Sequence, residues 1–158
     1  MSLEYLVTYH RVVDAIEERV NHILAHHGYV CEFAPNTDLL DTENEGLLIK
    51  VIDYATTKPR VHPDRHFIVC IGLSNMPCPD KPRLRNLTFR TTTGSSKLSR
   101  TLQILVPAAL AEAVDGELED PQYGLILKAP NAVNYALDEI ARRTPPHDLR
   151  EAEFVGWA

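Results

Sequence analysis

Apolar residues recur at every third or fourth position from Leu3 through Leu6, Tyr9, Val13, Ile16, Val20 and Ile23, which predicts an amphipathic helix over 3–27. Ser2 is placed to cap it and Gly28 to end it at the C′ position. The pattern then shortens. Tyr29–Ala34, Leu47–Tyr54 and His66–Leu73 are runs of β-branched and apolar residues that predict strands, separated by loops at 35–46 and at 55–65 with Pro59 and Pro63. A proline-rich loop, 74–85, follows. Leu87, Phe89, Thr91 and Thr93 alternate, as do Leu102, Ile104 and Val106, around Gly94-Ser95-Ser96-Lys97, so 86–93 and 98–106 predict a long β-hairpin. Leu98, Leu102, Leu105 and Ala109 also fit a helical period, but Pro107 argues for a strand followed by a short helix, 108–114. Tyr123–Lys128 predicts a last strand, and Asn131 a cap for a helix over 132–143 with Val133, Leu137 and Ile140 inward.

The expected fold is α+β: an N-terminal amphipathic helix, a mixed or antiparallel sheet of about five to six strands with a long hairpin, a C-terminal helix and an extended tail. Residues 1–146 form one domain. Residues 147–158 form a tail, docked on its own domain or on a neighbouring subunit, because a polar stretch ends in Phe154, Val155 and the single tryptophan, Trp157.

A chain of 158 residues with 44% hydrophobic and 24% charged residues suits one globular core. No apolar run approaches the ~20 residues of a membrane-spanning helix. The N-terminus lacks the basic and apolar regions of a secretory signal, so the chain is expected to be made and kept in the cytoplasm. Cys31 and Cys70 lie in strand-like runs and are expected to be buried thiols, with Cys78 accessible between Pro77 and Pro79. No Cys-x-x-Cys pair suggests zinc.

Candidate chemistry is sparse. Thr93-Gly94-Ser95-Ser96-Lys97 lacks the glycine that a phosphate-binding loop places before its lysine. His62, Asp64 and His66 could in principle hold a metal or act as acid and base, although Pro63 prevents a helical presentation. His22 and His26 share a helix face without the Glu of a metalloprotease motif, and are expected to be exposed. No nucleophile elbow or dinucleotide fingerprint is present. No enzymatic activity, cofactor or metal is expected; a small enzyme or ligand-binding domain using the His62/Asp64/His66 loop is the alternative.

Charge sharpens the picture. The chain is acidic, at −6, yet 81–111 contains no acidic residue and carries Lys81, Arg83, Arg85, Arg90, Lys97 and Arg100. Acidic residues gather instead at 32–45 and at Glu112, Asp115, Glu117, Glu119 and Asp120. Overall acidity and the shortage of aromatics near the basic segment argue against specific nucleic-acid binding. Unlike patches can meet head to tail, a contact that closes into rings where the rotation allows. The expected interface is therefore Lys81, Arg83, Arg85, Arg90, Lys97 and Arg100, with Phe154, Val155 and Trp157 from the tail.

The order of helix 3–27, strands 47–54 and 66–73, hairpin 86–106 and helix 132–143 resembles that of tail-terminator and neck proteins of tailed bacteriophages. The resemblance implies a non-enzymatic subunit of a homo-oligomeric ring, with copies of itself and other structural proteins as partners, no membrane, and a final place in the virion. It transfers no functional residue.

Overall fold

The computed structural model describes residues 2–10, 12–40, 45–54, 64–77, 85–92, 96–142 and 151–157. These form an α+β fold in which three helices pack on one antiparallel sheet of eight strands. The strands are β1 (Ser2–Tyr9), β2 (Tyr29–Phe33), β3 (Glu45–Tyr54), β4 (Phe67–Pro77), β5 (Arg85–Thr92), β6 (Glu117–Asp120), β7 (Leu125–Lys128) and β8 (Ala152–Glu153). The helices are α1 (Ile16–His26), α2 (Lys97–Ala113) and α3 (Ala129–Arg142). The sheet order is β2-β3-β4-β5-β1-β6-β7, and β8 pairs with the start of β4.

The N-terminal segment corrects the expected helix 3–27. Tyr5, Val7 and Tyr9 are buried at alternate positions, a period of two, and β1 lies inside the sheet between β5 and β6. Ser2 is thus a strand residue rather than a cap. The helix begins only at Ile16, after Ala15 at φ 54, a left-handed conformation that costs a non-glycine residue ~1–2 kcal/mol. Its end matches expectation: Gly28, at φ 92, follows the C-cap His27 and donates to the Ala25 carbonyl at 3.0 Å.

The second correction is the hairpin. β5 is a strand, but Leu98–Val106 belongs to α2, which runs through Pro107 without ending. Ser96 caps it by accepting from the Ser99 N–H at 3.1 Å. An interior proline costs ~3 kcal/mol. Leu98, Leu102, Ile104, Leu105, Val106 and Leu110 are all buried, and each such side chain contributes ~1.5–3 kcal/mol. Burial therefore outweighs the proline. α2 packs across β1, β4, β5 and β6, with α1 and α3 against it.

The acidic block at 117–120 is a strand not foreseen, β6, whose Leu118 and Asp120 point inward while Glu119 is half-buried and Glu117 exposed. Helix α3 starts at Ala129, so Asn131 lies within it rather than capping it; Val133 is buried and Leu137 and Ile140 pack against the core, as expected. Side chains facing the helices form the core: Tyr5, Val7, Phe33, Ile49, Ile71, Leu73, Leu87 and Phe89 among them. Cys31 is buried here, whereas Cys70, on the outer side of β4, is exposed, against expectation. Cys78 lies outside the described residues.

Candidate association surface

The described helices all lie on one side of the sheet. Pairing register sets the other, outer side: Gly46 lies opposite Gly72, Gly72 opposite Arg90, and Arg90 opposite Glu4. A Cβ on Gly72 would stand 3.1 Å from the Arg90 carbonyl, and one on Gly46 would stand 3.0 Å from Cys70 Sγ. Two facing glycines thus leave a flat strip beside Cys70. Arg90 closes the row with a charged bond to Glu4, Nη2 to Oε1 at 2.7 Å. Half-buried Leu48 and Ile68 continue the face.

The tail docks on this chain. Ala152 and Glu153 pair with Ile68 and Phe67, and the Phe154 N–H donates to the His66 carbonyl at 2.9 Å. β8 thereby occupies part of the β4 edge that β5, ending opposite Gly72, leaves open. Phe154 and Trp157 meet edge to face at 4.9 Å, and Lys50 Nζ lies 4.6 Å above the Phe154 ring. Val155 points away, 94% exposed.

The described basic side chains do not gather. Arg90 is on the outer face of β5, while Lys97 and Arg100 are on α2, which packs against the inner face. Lys81 and Arg83 lie outside the described residues, as does the side chain of Arg85. Charge clustered in sequence is divided in space because a helix, not a returning strand, follows β5.

The histidine loop fares similarly. His62 lies outside the described residues, Asp64 is exposed, and His66 is half-buried, its carbonyl taken by the tail. Arg65 Nε pairs with Glu153 at 3.6 Å. This end of the loop is a dock for the tail. No group of three or more His, Cys, Asp or Glu suited to a metal occurs among the described residues. His22 and His26 are exposed.

An open cleft of about 510 Å³ lies at the start of α1, lined by Tyr9, Val13, Glu17, Asp38 and Asn75 among others. Two of its carboxylates hold backbone: Glu17 accepts from the Leu39 N–H at 2.9 Å and Asp38 from the Leu40 N–H at 3.1 Å. Glu17 pins the β2–β3 connection to α1, and Asp38 fixes a turn within that connection.

The sheet ends differ. β2 carries a register shift between Val30 and Cys31 and an exposed Glu32. β7 pairs with β6 in unbroken register from Asp120–Leu125 to Glu117–Lys128. Leu125 is 42% and Ile126 63% exposed, with Tyr123 of the preceding turn 64% exposed. Sequence reasoning missed this edge, although Leu-Ile-Leu in a predicted final strand was the available signal.

These features define a one-sided antiparallel α+β domain with an accessible sheet face and an apolar edge. No family model, curated protein or solved structure matches the chain. No helix among the described residues is long and apolar enough to cross a membrane.

Proposed function

We propose that this chain is a non-enzymatic structural subunit that acts by associating with copies of itself and with other structural proteins. The observation that supports this most is the one-sided layering. All described helices cover one face, and large apolar side chains remain exposed at the open end of the sheet. Several polar groups near the cleft, the turns and the tail are engaged in holding the fold. Glu17 and Asp38 fix a loop, Asp120 a turn, and the His66 backbone the tail.

The form of assembly we assign is a closed homo-oligomer of the ring type, the architecture of the phage tail-terminator and neck subunits whose element order the chain resembles, with a place in the virion. Its contacts come from the sheet face and edge, since the second arm of the expected hairpin is a buried helix.

Native mass spectrometry of the full chain at high micromolar concentration tests the reading. A discrete oligomer supports it. A strict monomer that also joins no larger assembly overturns it.

A further inference from the structure

We infer that β7 pairs with β7 of a second copy, antiparallel about a two-fold axis normal to the sheet, with Ile126 opposite Ile126 of the partner. This rests on the self-association reading and names its interface. An edge strand presents outward N–H and C=O groups that template pairing, and proteins blunt such edges with bulges, charges or covering segments. Here the β2 edge has a bulge and Glu32, and β8 covers the start of the free stretch of β4, at Phe67 and Ile68. β7 keeps an unbroken register, carries one charge, Lys128, and exposes Leu125 and Ile126.

The partner follows from symmetry. A two-fold normal to the sheet makes two β7 strands antiparallel and keeps the helices of both copies on the same side, so each side chain stays on its own face. Opposed residues must then share a face, which restricts the dyad to positions such as Ile126 or Leu127. Centring on Ile126 sets Leu125 against Leu127 of the partner, twice, and Ile126 against its own copy. Each Lys128 then faces Gly124, which has no side chain and nothing near its Cβ position. Centring on Leu127 would instead set Lys128 against Ile126. The first register matches apolar with apolar and leaves the cation unburied. Head-to-tail pairing of β7 with β2 in a continuous sheet would be parallel and would meet the bulge. A ring built with this contact has dihedral symmetry and an even number of chains.

Two measurements test this on the full chain. In the first, native mass spectrometry compares wild type with Ile126→Glu, a substitution at an exposed position. In the second, Ile126→Cys and Lys128→Cys are oxidised in a Cys70→Ser, Cys78→Ser background. Directly opposed residues of an antiparallel pair have Cα atoms ~4.5–5.5 Å apart, within disulfide reach. Two copies of position 128 would be offset by four residues, roughly 13 Å. The expected result is an even stoichiometry that I126E halves, with a covalent dimer from I126C and none from K128C. A wild-type oligomer unchanged by I126E, or cross-linking of K128C without I126C, overturns the β7 contact and leaves self-association standing. A monomeric wild type overturns the β7 contact, and one that also joins no larger assembly overturns both.

Discussion

Tyr135→Phe removes a bond that ties α3 to the β6–β7 turn. Asp120 is fully buried, and its carboxylate accepts from the Tyr135 hydroxyl at 2.5 Å and from the Gln122 N–H at 3.1 Å. With the Gln122 amide turned so that its nitrogen faces the carboxylate, it adds bonds of 2.7 Å to Asp120 and 3.0 Å to the Glu4 carbonyl. Deleting the hydroxyl strips one donor from this buried carboxylate. A hydrogen bond to a charged group contributes ~1.5–3 kcal/mol. Tyr135 is half-buried, so water reaching the vacated position offsets part of that, and the expected loss is about 1–2 kcal/mol. For a chain of this length the melting temperature should fall by about 2–8 °C.

The same bond has an alkaline signature. Burial first, then the Asp120 hydrogen bond and the nearby charges, raise the Tyr135 phenol above its ordinary 10.0. The folded state therefore holds this proton more tightly than the unfolded state. Its stabilisation is fully present below pH 10 and is lost as pH climbs through the folded value. Tyr29 is also raised, by burial and by Cys31, so wild type and variant both weaken in alkali and the difference between them is the readout. Urea unfolding followed by circular dichroism, near neutral pH and again above about pH 10, gives both numbers. Tyr135→Phe should start lower and decline less steeply. A variant within ~0.5 kcal/mol of wild type at neutral pH, or curves that stay parallel above pH 10, would refute this account.

Three further outcomes follow from the packing. Gly116→Ala drives a Cβ into the Thr8 carbonyl and within 3.2 Å of Tyr9 Cβ and Val114 Cγ2; backbone cannot yield as a side chain can, so chemical unfolding should show a loss of about 3 kcal/mol. In a Cys78→Ser background an aromatic disulfide reagent should label Cys70 rapidly in the folded protein. Cys31, buried and with its pKa pushed up to about 12 by that burial, should label only on unfolding. Phe154→Ala removes the ring that meets Trp157 and lies under Lys50; tryptophan emission should shift to the red, and stability should fall by about 1–2 kcal/mol.

The α+β class, strands β2 to β5, the end of α1 at Gly28 and the core stripe of α3 were legible because each rests on local pattern. Three elements were not. Leu3, Leu6 and Tyr9 fit a helical stripe that continues into the real helix, and this hid the shorter period of Tyr5, Val7 and Tyr9; both periods coexist in these residues, and only strand pairing selects one. Pro107 argued for a strand because local cost is visible in sequence whereas burial against β1, α1 and α3 is not. Glu117, Glu119 and Asp120 read as part of an acidic patch, yet alternation puts Leu118 inward and lets buried Asp120 recover its hydrogen bonds from Gln122 and Tyr135, residues two and fifteen positions away. Of the tail, the sequence showed that Phe154 and Trp157 would pack, but not that they pack on this chain's own β4. The basic run was misleading because linear clustering of charge becomes a patch only if the chain returns on the same side.

Placing α2 at the centre of the helical layer has a functional consequence. A helix buried from Leu98 to Ala111 occupies the middle of the inner face, where a sheet-and-helix domain would otherwise have room for a ligand. The proposed contacts between copies are accordingly placed on the outer face and the strand edges. Two of those edges carry structural devices. The bulge between Val30 and Cys31 interrupts β2, and β8, anchored by Phe154 and the Arg65–Glu153 pair, covers the start of β4. A bulge gives up ladder bonds, and ordering a tail costs conformational entropy. Against these, β7 keeps an unbroken register and leaves 63% of Ile126 exposed, and that contrast is the ground on which the proposed contact between copies is placed there.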